Sequence, residues 1–177
     1  MDLESGAGFL DSTIDEKGRV IIPAPMREAY KGKLVLTQGS RLCVWIILPE
    51  VWERFLDWHR KSAKEVGPVN FRRLQHLHYY PARYAEIDEN SGRIPITSVV
   101  REYAGLVKDK MKDNKCYVIR ASKHLEIWNC KYHNDYQNCK QEPNQIQDVS
   151  DEIWARFFEF GEEEFGNENL PAGKGEA

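Results

Sequence analysis

The chain has 177 residues, of which 41% are hydrophobic and 30% charged, a composition that fits one domain or two small halves around a real core. No apolar run could span a bilayer, since the longest (residues 44–48) has the length of a strand, and the N-terminus lacks the basic and apolar regions of a signal peptide, so a cytoplasmic protein is expected. Residues 150–177 hold eight acids and two bases, which leaves the preceding part of the chain mildly basic despite the net charge of −3.

The first unit is predicted to be a hairpin, a short helix and a second hairpin. A strand over residues 9–14 is predicted to pair, through the turn Glu16-Lys17-Gly18, with a strand over 19–22. Pro23 and Pro25 cannot continue a strand but suit the first turn of a helix, predicted over residues 24–30. The second hairpin is predicted from strands over 34–37 and 42–48.

Two helices are predicted next. Pro49 opens the first, and four of its residues fall on one face: Trp52, Phe55, Leu56 and His59. We interpret this aromatic face as core packing rather than as a groove for a partner. Gly67-Pro68 ends that helix, and a second is predicted over residues 69–79. Its Arg72 and Arg73 are equally consistent with a phosphate contact and with a solvated surface.

Residues 88–101 then repeat residues 15–27 at an offset of 74. The repeat matches Gly18 with Gly92, Arg19 with Arg93, and Arg27 with Arg101. The spacing of a Gly-Arg pair, an apolar strand and a second arginine indicates an internal duplication.

The second unit is predicted to follow the same order. Its predicted elements are strands over 84–87 and 93–96, a helix over 100–106, and strands over 116–119 and 125–128. The last strand matches residues 42–45 at an offset of 83, so the second unit carries nine extra residues near 108–114, which we interpret as a charged loop.

No motif indicates an enzyme. The chain has no Gly-x-Ser-x-Gly, no phosphate-binding glycine loop and no His-Glu-x-x-His, so no catalytic residue and no cofactor are expected. Its four cysteines form no Cys-x-x-Cys pair. Cys130, His133 and Cys139 lack a clear fourth ligand, and a zinc site is therefore disfavoured.

The duplicated hairpins favour DNA binding. An arginine on a rigid hairpin is a pre-organised donor for a phosphate or a guanine edge, and a two-stranded ribbon is narrow enough for the major groove. Asp15 lies four residues before Arg19, where it can bond the turn amides or pair with the arginine. One alternative is that Asp15 and Arg19 only hold the hairpin together.

The stretch Asp15-Glu16-Lys17-Gly18-Arg19, followed by Pro23 and Arg27, resembles the Asp-x-Lys-Gly-Arg-x-x-x-Pro-x-x-x-Arg signature of the MraZ family, within the AbrB-type DNA-binding folds. The second copy continues into Arg101-Glu102-Tyr103-Ala104-Gly105-Leu106, similar to that family's second repeat, and the resemblance covers roughly residues 8–136. It implies an α+β fold, mostly β, in which two ββαββ units form a pseudo-symmetric swapped-hairpin barrel linked by helices. The units would span residues 8–80 and 81–140, followed by an acidic, aromatic tail, partly disordered, over 141–177.

The resemblance also implies a function. It implies a nucleoid-associated bacterial transcriptional regulator that binds direct repeats upstream of the division and cell-wall gene cluster, including its own promoter, as a ring-shaped homo-oligomer. Carried over by position, the DNA-binding residues would be Lys17, Arg19, Arg27, Arg93 and Arg101, and the hairpin-orienting residues Asp15, Gly18, Asp88 and Gly92. The second turn is one residue longer and has Ser91 in place of a lysine, so the second hairpin is expected to bind DNA more weakly.

A second hypothesis is a protein-interaction module. AbrB-type folds also occur in antitoxins, whose C-terminal segments bind a partner, and the tail here is aromatic and acidic from Ile153 to Phe165. Ser150 is predicted to cap a helix that carries Ile153, Trp154, Phe157 and Phe158 on one side.

Overall fold

The computed structural model describes residues 8–61, 63–121, 123–138 and 145–157. In this part of the chain the strands are β1 (Phe9–Thr13), β2 (Arg19–Ile21), β3 (Lys33–Gln38), β4 (Val44–Ile47), β5 (Arg83–Glu86), β6 (Arg93–Pro95), β7 (Lys115–Arg120) and β8 (His124–Asn129). Six of them form an antiparallel sheet in the order β1-β7-β8-β4-β3-β5, and β2 and β6 form a separate antiparallel ribbon. The expected α+β class is confirmed.

The helices fall between and after the strands. In chain order they are α1 (Ala24–Arg27), α2 (Pro49–Lys61), α3 (Ala63–Val66), α4 (Pro68–Leu74), α5 (Ser98–Tyr103), α6 (Cys130–Gln137) and α7 (Gln145–Arg156). The predicted helix over 69–79 is α4 followed by a π-helical turn, Gln75–Tyr79, and the predicted loop before β7 contains a 3₁₀ turn, Lys108–Lys110. No helix among the described residues is long and apolar enough to cross a membrane.

The predicted pairing of the first strands within each unit is wrong. β1 pairs with β7, β5 pairs with β3, and β2 pairs with β6, so each of these strands takes its partner from the other unit. Of the predicted first hairpin, the described residues keep the turn, the bridge from Ile14 to Val20, and a hydrogen bond of 2.9 Å from the N–H of Asp15 to the Arg19 carbonyl. Exchange of the strands places Val20 opposite Ile94, both without exposed surface, so the two units share one core.

The predicted second hairpins are confirmed. β3 pairs with β4 and β7 with β8, and β4 also pairs with β8, with Val44 opposite Ile127. All four residues of β4 are buried because this strand lies inside the sheet with a core on each face, which explains the apolar run there.

One face of the six-stranded sheet packs against the β2–β6 ribbon and the helices α1 and α5. Alternate residues of the central strands point to this side, as a pleated strand requires. Fully buried members of this first core include Val20, Ile22, Met26, Leu34, Val44, Ile46, Ile94 and Ile127. The first core therefore fixes the ribbon on the sheet.

The opposite face of the sheet is covered by α2, α4 and α7. Their aromatic rings form a second core with Trp45 of the sheet, in which Trp154 stacks on Phe55 with ring centroids 3.8 Å apart. The aromatic face predicted on α2 is thus core packing, as expected.

The predicted cap at Ser150 is wrong, because α7 begins five residues earlier, at Gln145. Ser150 is buried in the middle of the helix and donates its hydroxyl to Nε2 of His78 at 2.6 Å. Burial lowers the pKa of His78 to about 3, which keeps the ring neutral, and its Nδ1 donates to the Gln38 carbonyl. Arg41 pairs with Asp148 at 2.6 Å, which ties the N-terminal half of α7 to the sheet.

Candidate nucleic-acid interface

The first turn is organised by one carboxylate. Oδ1 of Asp15 accepts the backbone N–H groups of Lys17 and Arg19 at 3.0 and 2.9 Å, and Oδ2 accepts Nε of Arg19 at 2.8 Å. The backbone N–H of Arg19 is the main reason that the pKa of Asp15 lies below its ordinary value. Asp15 therefore both closes the turn and orients Arg19, whose side chain remains 40% exposed.

The second turn is closed differently. Oδ1 of Asp88 accepts both the backbone N–H and the hydroxyl of Ser91, at 2.7 and 2.5 Å. The hydroxyl of Ser91 is the main cause that lowers the pKa of Asp88. Nε of Arg93 lies 3.6 Å from Oδ2 of Asp15, so this arginine faces the carboxylate of the first turn. Asp15 thus attracts two arginines, one from each unit.

Arg27 and Arg101 lie over the turn glycines of the opposite units. A Cβ at Gly18 would stand 2.6 Å from Cζ of Arg101, and one at Gly92 would overlap the guanidinium of Arg27. Nε of Arg27 also donates to the Ile22 carbonyl at 2.5 Å. Each arginine is half-buried, so its guanidinium packs between the two units rather than standing free.

Backbone hydrogen bonds join the same two turns. Ile22 donates its N–H to the Gly92 carbonyl at 2.8 Å, and Ile96 donates to the Gly18 carbonyl at 3.0 Å. Both glycines have positive φ, +74° at Gly18 and +67° at Gly92, which favours glycine at these positions. Each turn is therefore held by the strand and the arginine of the other unit.

The structure groups four of the five residues predicted to bind DNA into two pairs of arginines. Arg19 and Arg93 converge on Asp15, and Arg27 and Arg101 brace the turns. Lys17 is exposed at the tip of the first turn. The sequence repeat located these positions, but it gave no sign that the second arginine of each copy contacts the other copy.

Cys130 and His133 lie at α6, whereas Cys139 lies outside the described residues. In the part of the chain that the structure describes, no three His, Cys, Asp or Glu side chains are grouped so that they could hold a metal ion.

Comparison with known proteins identifies the family. The family described as "MraZ protein, putative antitoxin-like" matches residues 7–67. The chain is 35% identical to the transcriptional regulator MraZ of Treponema denticola, over 73% of this chain and 85% of that protein. It is 34% identical to the MraZ regulator of Lactobacillus helveticus, over 68% and 78% of the two chains. The chain is 30% identical to the MraZ regulator of Lactobacillus gasseri, over 82% of this chain and 94% of that protein.

These matches indicate no catalytic family. The relatives carry the name of transcriptional regulators, and each match spans two thirds or more of this chain. The chain belongs to the MraZ family.

Proposed function

We propose that this protein is a DNA-binding transcription regulator, without enzymatic activity, and that the first turn is its principal DNA contact. The observation that carries the proposal is the exposed Arg19, held at two positions by the carboxylate of Asp15. A guanidinium fixed in this way loses little conformational freedom when it binds a guanine edge or a phosphate. The names of the relatives support the same function.

The five basic residues have different roles in this proposal. Arg19 enters the groove, Lys17 binds a neighbouring phosphate, and Arg93 contributes from the second unit. Arg27 and Arg101 hold the two turns in position and reach DNA only through the exposed part of their side chains. The second turn contributes less, because Ser91 occupies the place of a lysine and Arg93 faces Asp15 rather than Asp88, the carboxylate of its own turn.

We further propose the swapped-hairpin barrel as the form of the fold and a ring-shaped homo-oligomer as the assembly. Pairing of β1 with β7 and of β5 with β3 supports the first of these. A ring would present several first turns to successive direct repeats, and affinity would rise through effective concentration. The proposed targets are repeats upstream of the division and cell-wall gene cluster, including the protein's own promoter, in the cytoplasm at the nucleoid.

The test is binding to a duplex from the region upstream of the protein's own gene, at two or more salt concentrations. We expect log K to fall with log salt at a slope of about −0.9 for each phosphate neutralised, and Arg19→Ala to bind at least tenfold more weakly. Arg72→Ala is the control, because this exposed arginine lies on α4, on the other face of the sheet. The proposal fails if the folded wild-type protein does not bind, or if Arg19→Ala binds as the wild type does.

The second candidate is a protein-interaction module, which the antitoxin-like description of the family favours. However, Ile153 and Trp154 of α7 and Phe157 directly after it are buried in the second core, so these side chains are not available to a partner. A partner would therefore use the acidic residues after Phe157. Deletion of residues 158–177 tests this: an unchanged set of co-purifying proteins and unchanged DNA binding would leave this segment without the proposed role.

A further inference from the structure

The second unit carries a charged loop that the first unit lacks. β3 and β7 are both six residues long and begin with a lysine, 82 positions apart, whereas Arg27 and Arg101 are 74 positions apart. Eight of the nine extra residues therefore lie between α5 and β7. We name residues 108–115 the lysine loop; its exposed charges are Lys108, Lys110, Lys112 and Lys115 against Asp109 and Asp113. Its net charge is +2.

The lysine loop is built into the fold. The buried Asn129, with 2% of its surface exposed, donates from Nδ2 to the carbonyls of Lys110 and Gly105, at 2.9 and 2.7 Å. Met111 packs half-buried against the first core. Because these contacts fix the backbone, binding through the loop would lose little backbone entropy.

The loop lies beside the first turn. The carbonyl of Asn114 accepts the N–H of Ile14, the residue before Asp15, at 3.0 Å. Lys108 and Asn114 also line a cavity of about 390 Å³ whose other wall includes Asp15 and Glu16. Lys108 thus lies across this cavity from Asp15, the carboxylate that orients Arg19.

The charges of the loop are available to a partner. None of the ion pairs found among the described residues involves the four lysines. Exposed lysines on a fixed backbone beside the first turn are suited to bind phosphate groups without reading base sequence.

We propose that the lysine loop binds the phosphate backbone of the DNA on which the first turn acts, as a contact independent of base sequence. This inference rests on the proposed function. The loop gives the second unit a phosphate contact that the first unit lacks, because only a short connection joins α1 to β3 in the first unit. It strengthens binding to any duplex and leaves base recognition to the turn.

The test compares Lys108→Gln/Lys110→Gln/Lys112→Gln with a matched triple, Lys64→Gln/Arg72→Gln/Arg73→Gln. Both variants remove three positive charges from exposed positions, but the second removes them from α3 and α4 on the other face of the sheet. The probes are the upstream duplex and a random duplex of equal length. We expect the loop variant to lower the magnitude of the salt slope by about 0.9 for each phosphate that it no longer neutralises, equally on both probes, and the matched triple to keep the wild-type slope.

A lysine-to-arginine version of the loop variant is expected to bind like the wild type, which shows that charge and not folding is responsible. The inference is overturned if the glutamine variant keeps the wild-type slope, or if the matched triple lowers the slope as much. If the loop variant is unchanged while Arg19→Ala binds weakly, only the role of the loop fails. If the wild-type protein binds neither probe, the proposed function fails and the inference fails with it.

Discussion

At the scale of single residues, the arginine nine positions after each turn glycine contacts the other unit. Arg27 lies over Gly92 and Arg101 over Gly18, so each turn depends on a side chain from the other copy. From the sequence, each of these arginines is predicted to contact DNA. The neighbouring residues do not indicate that its guanidinium packs on a turn of the other unit. The sequence therefore located the residue but not its neighbour.

This arrangement predicts different costs for three glycine substitutions. Gly32→Ala meets only the cost of positive φ, about 1–2 kcal/mol, because nothing lies within 4 Å of the added methyl group. Gly92→Ala has the same backbone cost and also displaces Arg27, so we expect about 1 kcal/mol more in the free energy of unfolding, and Gly18→Ala should do likewise through Arg101. Denaturant unfolding measures the difference.

A double-mutant cycle supplies the control. In an Arg27→Ala background the added methyl group at Gly92 meets no guanidinium, so its cost should fall to that of Gly32→Ala. An equal cost of Gly92→Ala with and without Arg27 would contradict the bracing contact.

The lowered pKa of Asp15 predicts how the free energy of unfolding depends on pH. Its pKa is depressed in the folded protein by the amide of Arg19, so the unfolded chain binds the proton more tightly. The stability that it contributes is therefore complete above about pH 4 and is lost as the pH falls through the lower pKa of the folded state. We expect Asp15→Asn to be less stable than the wild type at pH 6, and this difference in the free energy of unfolding to shrink as the pH is lowered below 4. Glu16→Gln, at the exposed neighbouring position, is the control for the loss of one negative charge from the turn.

At the scale of elements, periodicity predicted most helices and strands, but their partners depended on contacts far along the chain. β1 alternates between exposed and half-buried positions, a pattern that suits β2 and β7 equally. The N-terminus of α7 was missed for a related reason. Ser150 suits a cap by residue type, yet its hydroxyl is used by His78, which no sequence pattern connects with it.

The packing of α7 gives a prediction for this element. Trp154 is 4% exposed and stacks on Phe55, so Trp154→Ala should lower the free energy of unfolding by about 3–5 kcal/mol. Glu152→Ala, on the exposed side of the same helix, removes only a surface pair with Arg156 and should cost about 0.5 kcal/mol or less. If the tryptophan variant is as stable as the glutamate variant, α7 does not belong to the second core in solution.

At the scale of the whole molecule, the two units are interleaved. Each of the four strands of the first unit pairs with a strand of the second: β1 with β7, β2 with β6, β3 with β5 and β4 with β8. The duplication was visible in the sequence, whereas this exchange was not, because a repeat shows that two segments are alike and not which of their edges meet.

Interleaving predicts that neither half folds alone. We expect fragments 1–80 and 81–177, expressed separately, to unfold without a cooperative transition, because β1 and β2 lack their partners in the first fragment. Mixed together, they should form a one-to-one complex with the circular dichroism spectrum of the intact chain. A cooperative melt of either isolated fragment would show that its unit is self-sufficient.

The pairing of β1 with β7 also sets an order of events during synthesis. Phe9 leaves the ribosome 110 residues before Ile119, the residue opposite it in the sheet. Until then the nascent first half carries strand edges that nothing covers, and the second half of a neighbouring nascent chain on the same messenger can pair with them instead. We therefore expect slow translation of the second half to increase strand exchange between neighbouring nascent chains.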